Sequence, residues 1–107
     1  MNLPNVINNL IAAQNNFDSD AYTECFTTDA IVHDEGKTHT GKDEIKEWSE
    51  ESIAAYKAQM KPVDFTNNGE MPILLAEISG SFDGSPITLK FQFEIKDKIA
   101  SLTIGNA

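Results

Sequence analysis

The sequence predicts an α+β fold in which helices come first and an antiparallel sheet follows. Two observations carry that expectation. Up to about residue 57 the apolar residues recur at helical spacing, interrupted by one short strand pair. Beyond it they alternate with polar residues at period two, most clearly in "ITLKFQFEIK". Helices segregated from strands in this way mean α+β. The chain has 107 residues. That suits a single domain over 1–107 with one core and no disulfide or metal staples.

Each element has its own signal. Residues 3–16 read as a helix, with Pro4 in the first turn and Val6, Leu10, Ala13 and Phe17 on one face. "FDSDAYTECF" reads as a second, shorter helix capped by Asp18 or Ser19, with Tyr22, Cys25 and Phe26 as its inner stripe. "DAIVHDE" is a short strand, Gly36 breaks the chain, and "KTHT" pairs back. Thr40 opens a third helix, and Asp43 is placed to complete a capping box with it. Ile45, Trp48, Ser52 and Tyr56 form that helix's inner stripe. Asn68-Gly69 and Asp83-Gly84 are hairpin signals. In "ITLKFQFEIK", Ile87, Leu89, Phe91, Phe93 and Ile95 share one face, and Thr88, Lys90, Gln92, Glu94 and Lys96 the other. A turn at residues 96–98 leads into the last strand, "ASLTI". Three helices must then cover one face of a curved sheet, and imperfect filling leaves an apolar cavity between them.

Composition narrows the function classes. Net charge is −9, which repels a phosphate backbone, so no nucleic acid is expected as a partner. No run approaches the ~20 apolar residues of a membrane span. "MNLPNVINNL" has neither a basic start nor a long apolar stretch, so no signal peptide is expected and the cytoplasm is the default location. The lone Cys25 forms no internal disulfide and reads as a buried structural thiol. No phosphate loop or nucleotide fingerprint is present, and no cofactor is expected.

The order of elements resembles the nuclear transport factor 2-like superfamily, in particular its SnoaL-like and ketosteroid isomerase-like members. In "FDSDAYTECFTTDAIVHDEGK" the likeness rests on Asp18, Tyr22, Phe26, Asp29, Ala30, Val32 and Asp34. In "HTGKDEIKEW" it rests on Gly41, Ile45 and Trp48, and from residue 71 onward on the alternating strands. The resemblance covers nearly the whole chain. It implies a cystatin-like cone, a strongly curved antiparallel sheet wrapped by three N-terminal helices, with a pocket at the open end. It also implies a homodimer through the outer sheet face, here the one bearing Thr88, Lys90, Gln92 and Glu94. Functions in the superfamily range from isomerases, polyketide cyclases and dehydratases to binding scaffolds, so fold alone does not assign one.

In the isomerases the aspartate ending the first strand is the general base, and an ungapped line-up places Asp34 there. A carboxylate in an apolar pocket gains basicity by desolvation, and donors stabilise the enolate that forms. The isomerases take those donors from a tyrosine and a protonated aspartic acid. The same line-up puts Leu10 and Phe91 at these two positions. Each lost donor typically costs about 3 to 4 kcal/mol of transition-state stabilisation, so steroid isomerisation is not expected. Cyclase-like chemistry on an already acidified carbon asks less and stays open.

Asp34 therefore has two readings: a general base or polar anchor in the pocket, and a strand-end aspartate satisfying the turn around Gly36. Alternation sends Asp34 to the side of Val32 and His33 to the other, unless the register slips by one. His33, Asp34 and His39 match no compact metal motif, and no metal is expected. The expected ligand is an apolar small molecule. Leu10, Gln14, Val32, Trp48, Tyr56, Phe91 and Phe93 are the candidate pocket residues, with ordinary core as the competing account of most of them. A non-catalytic binding or dimerisation module is the alternative to an isomerase or cyclase. The apolar residues Leu10 and Phe91 favour it.

Overall fold

A computed structural model describes residues 1–67 and 71–107. Helix α1 (Asn5–Asn15) and α2 (Ser19–Glu24) lead into the hairpin β1 (Phe26–Asp34) and β2 (Lys37–Thr40). Helix α3 (Gly41–Tyr56) follows, then β3 (Gln59–Thr66), β4 (Ile73–Ser79), β5 (Ile87–Lys96) and β6 (Lys98–Asn106). The six strands form one curved sheet in the order β2-β1-β6-β5-β4-β3. The helices pack on it, giving the expected α+β architecture.

One junction departs from the expected antiparallel pattern: β1 and β6 run parallel. These strands lie at opposite ends of the chain, so no tight turn fixes their relative direction. β6 takes up the chain directly after α2, with Ile99 N–H donating to the Cys25 carbonyl at 2.9 Å. β1 consequently starts at Phe26, three residues before the expected strand. Bulges shift the register beside Ile31, Asp64 and Ile95, and such insertions bend and twist a sheet.

Local chemistry explains the turns and caps. Glu35 (φ 52°) and Gly36 (φ 74°) both take positive φ, as a two-residue type I′ hairpin requires. The register then pairs Asp34 with Lys37, His33 with Thr38 and Val32 with His39. Asp18 caps α2, accepting from Ala21 N–H at 3.0 Å. The cap of α3 differs from the expected box. Thr40 makes no side-chain cap bond, and Glu44, not Asp43, reaches back to Thr40 N–H at 2.8 Å. Asp83-Gly84 lies in the β4–β5 connection, with Gly84 at φ 88°. The expected Asn68-Gly69 hairpin lies outside the described residues.

The core forms where helices meet sheet: Ile7 and Leu10 of α1, Ile45 of α3, and Phe26, Val32, Leu74, Phe93, Ile99 and Leu102 of the strands are all fully buried. Cys25 is buried at the edge of this cluster, and burial pushes its thiol pKa up. α1 also seals a sheet edge. The Asn15 side-chain amide donates to the Met60 carbonyl at 3.0 Å and accepts from Met60 N–H at 2.7 Å. That replaces the neighbour strand which β3, at the end of the sheet, lacks. No helix among the described residues is long and apolar enough to cross a membrane.

Candidate functional site

A cavity of about 410 Å³ opens between α3 and the sheet, within the ordinary range for small-molecule sites. The inner face of β5 gives it Ile87, Leu89 and Phe91, β6 adds Ile104, and β3 and β4 add Met60 and Ile78. α3 contributes Trp48, Ser49, Ser52, Ala55 and Tyr56. The polar part gathers where the β1–β2 hairpin meets α3: Asp34, Glu35, Lys37 and His39, with Tyr22 of α2 beside them. A larger, more open depression of about 680 Å³ runs along α1 and α2. It is a surface groove away from this convergence of aromatic and ionisable groups.

Strand alternation decides the orientation of Asp34. Val32 is fully buried and His33 is exposed, so Asp34 turns inward with Val32. The Trp48 side chain, whose one polar hydrogen is its indole N–H, bonds to the Asp34 carboxylate, and so does the Glu35 backbone N–H. The second bond belongs to the turn around Gly36. The same side chain thus lies on the cavity wall and bonds within the turn. Its pKa is raised above the ordinary aspartate value. Burial is the largest cause and the neighbouring Glu35 charge adds to it, while the Trp48 bond, His39 and the Glu35 amide bond oppose it. Burial and the Asp34 charge also push the Tyr22 hydroxyl upward, so it stays protonated as a hydrogen-bond donor.

Aromatic packing fixes the rest of this corner. His39 stacks on Trp48 with ring centroids 5.4 Å apart, and Tyr22 meets Trp48 edge-on at 6.0 Å. His33 points the other way and pairs with Thr38 across the hairpin at 3.2 Å. Among the described residues no three His, Cys, Asp or Glu side chains cluster as a metal site would require.

Of the candidate pocket residues, Gln14, Trp48, Tyr56 and Phe91 line this cavity, as does Asp34, the candidate base. Gln14 is already committed, donating to the Ala58 carbonyl at 2.7 Å. Tyr56 is 40% exposed and meets Phe82 edge-on at 5.9 Å. Leu10, Val32 and Phe93 are fully buried and lie outside the lining. They belong to the hydrophobic core cluster.

Sequence reading missed Tyr22, His39 and Ser49 as wall residues. His39 was legible through the hairpin: a two-residue turn after Asp34 puts it opposite Val32, on the inward face. Ser49 lies one helical turn beyond Ile45, and both are buried. Its polarity hid it within an apolar stripe.

Comparison with known proteins agrees with the fold. The profile of the SnoaL-like domain matches residues 7–99. A candidate polyketide cyclase from Sinorhizobium meliloti is 39% identical, with a TM-score of 0.90 over 95% of this chain and 94% of that one. A protein of ketosteroid isomerase-like fold from Catenulispora acidiphila, solved with trimethylamine, is 18% identical, with a TM-score of 0.88 over 99% and 88%. A cystatin-fold protein from Novosphingobium aromaticivorans is 20% identical, with a TM-score of 0.78 over 94% of each chain. The last two bear on fold alone. No curated protein matches the sequence. The profile match over most of the chain and the 39% identical relative show that this protein belongs to the SnoaL-like family of the nuclear transport factor 2-like superfamily.

Proposed function

We propose that the cavity binds an apolar, carbonyl-bearing small molecule and that Asp34 acts there as a general base, taking a proton from the carbon next to the carbonyl. Isomerase or cyclase chemistry follows from that step. One observation carries the reading: a carboxylate on the wall of a mostly apolar cavity, held in place by Trp48 and made more basic by burial. The family and the candidate cyclase that is 39% identical support a small-molecule ligand.

The isomerase donor positions, Leu10 and Phe91, offer no hydrogen bond. The Tyr22 hydroxyl, on the same wall as Asp34, is the donor suited to the developing enolate. His39 stacks on the opposite partner of this corner and keeps the Trp48 ring, and with it the carboxylate, in one orientation. A single Tyr22 donor is less than the pair used by the steroid isomerases, which fits a substrate whose reacting carbon is already acidified.

A second reading draws on the same two residues. Leu10 and Phe91 place apolar side chains where catalysis would want donors, which favours a pocket that holds its ligand by shape alone. A homodimer through the face bearing Thr88, Lys90, Gln92 and Glu94, and a cytoplasmic location, belong to the same proposal. The sheet-face dimers common in the superfamily support the first, and the lone Cys25, which forms no internal disulfide, supports the second.

Deuterium uptake separates the two functions. Cyclic ketones and enones are incubated with the protein in heavy water and exchange at the α-carbon is followed by proton NMR. Catalysed exchange by the wild type, lost in Asp34→Asn, supports the base. Saturable binding with no catalysed exchange on any carbonyl supports the non-catalytic pocket.

A further inference from the structure

The Ser49 hydroxyl poses a question that the fold leaves open. Ser49 is 3% exposed, and its Oγ has no hydrogen-bond partner among the described residues. Buried hydroxyls are nearly always paired, because an unpaired one forfeits its hydration. A helical serine has an easy solution, the carbonyl one turn back. Thr23 uses it, donating to the Ser19 carbonyl at 2.7 Å. Ser49 does not take the matching bond to Ile45.

Ser49 also lines the cavity. It follows Trp48, which holds Asp34, and precedes Ser52 by one turn on the same wall. The sheet side of the cavity, with Leu89, Phe91 and Ile104, offers the hydroxyl nothing polar. The Oγ is already closed off in the unliganded protein, so a ligand reaches it only when the side chain turns about χ1 towards the cavity. A hydrocarbon ligand would still leave it without a bond. An anionic ligand would meet Asp34, Glu35 and Glu51 against the single Lys37. A neutral ligand with an oxygen acceptor avoids both penalties.

We propose that Ser49 is a ligand-binding residue whose hydroxyl donates to a carbonyl oxygen on the ligand, making the pocket selective for neutral ketones over hydrocarbons of the same shape. This rests on the reading of the cavity as a ligand site, but not on Asp34 acting as a base. The chemistry is a single hydrogen bond. Leaving a buried polar group unpaired in one complex and paired in the other is worth about ten-fold in affinity.

The test pairs 1-tetralone with its hydrocarbon counterpart, 1,2,3,4-tetrahydronaphthalene, in titrations followed by amide shifts of isotope-labelled protein. The wild type is expected to prefer the ketone about ten-fold, and Ser49→Ala to bind the two within about two-fold. An equal preference in wild type and Ser49→Ala, or a wild type that takes neither probe or both alike, overturns the proposal. Thermal melting without probe is the control for a structural role. Removing an unpaired hydroxyl should leave Tm unchanged or raise it, and a clear fall means that the hydroxyl serves the helix and overturns the proposal. The two ideas fail separately: exchange that survives Asp34→Asn removes the base and leaves Ser49, whereas a preference that survives Ser49→Ala removes Ser49 and leaves the base.

Discussion

Trp48 donates its indole N–H to the carboxylate of Asp34 and so ties the middle of α3 to the end of β1. The bond favours the charged carboxylate and works against burial.

Trp48→Phe keeps an aromatic ring against Tyr22 and His39 but removes the donor. The titration midpoint of the Asp34 carboxyl carbon, read by NMR, should lie above the ordinary aspartate value of about 3.9 in the wild type and higher still in the variant. A midpoint that does not move on Trp48→Phe would mean that the indole bond contributes nothing to holding the charge.

Asp34→Asn preserves the shape of the side chain and one acceptor oxygen. It should abolish any turnover or carbon-proton exchange while ligand affinity stays within a few-fold. Full activity in the variant would end the general-base idea. Loss of affinity in parallel with activity would make Asp34 a binding anchor instead.

Much of this arrangement was legible in the sequence. Period two in residues 87–96 marked β5 and its inward residues, and alternation along residues 30–34 set Asp34 on the side of Val32 and His33 on the other, with the register left for the structure to fix. Depth was not legible. Leu10 and Phe91 both carry apolar side chains on inward faces, yet Phe91 reaches the cavity and Leu10 does not. Periodicity reports which face a residue occupies, whereas the gap between helix and sheet depends on how three elements pack at once. The parallel pairing of β1 with β6 was hidden for a related reason, since no local turn encodes a contact between the two ends of a chain. The Glu44 cap of α3 shows the limit at short range. Spacing marked Asp43, and the longer reach of the next side chain won.

Asn15 offers a test of how the sheet edge is closed. Its amide pairs with both backbone groups of Met60, and Met60 is buried. Asn15→Ala removes both bonds at once and leaves a donor and an acceptor on an edge strand. We expect a loss of about 2 kcal/mol in urea denaturation with an unchanged m-value. A loss under ~0.5 kcal/mol would show that water replaces the asparagine without penalty.

Gly80 marks the place where the β4–β5 connection passes the end of α3. A Cβ built there would lie 2.6 Å from the Tyr56 carbonyl oxygen and 3.1 Å from the Ala58 Cα. Both are backbone atoms, so the clash cannot be relieved by a side-chain rotation. Ser81 N–H donates to the same Tyr56 carbonyl at 2.8 Å and would be displaced. Gly80→Ala should cost about 1 to 3 kcal/mol and disturb the Tyr56–Phe82 contact beside the cavity. Amide shifts confined to residue 80 itself, with unchanged stability, would contradict this close approach.

The raised pKa of Asp34 predicts a pH dependence with a definite sign. Between the ordinary aspartate value and its own higher value, folded Asp34 keeps a proton that the unfolded chain has released. Unfolding gives up a proton in that window, so this group's contribution to stability falls as pH rises through it and stays low above it. Asp34→Asn does not titrate. Other groups change equally in both proteins, so the difference in Tm, variant minus wild type, isolates Asp34. That difference should be constant below the ordinary aspartate value, grow more positive through the folded midpoint, and level off towards neutral pH. A fixed effect of the amide on packing would displace the whole curve, so the slope is the readout and not the level. Scanning calorimetry across this range gives the answer directly. A negative slope would mean that the turn bond to the Glu35 amide and the Trp48 bond outweigh burial, and that Asp34 is a stabilised carboxylate too weakly basic for the proposed proton transfer.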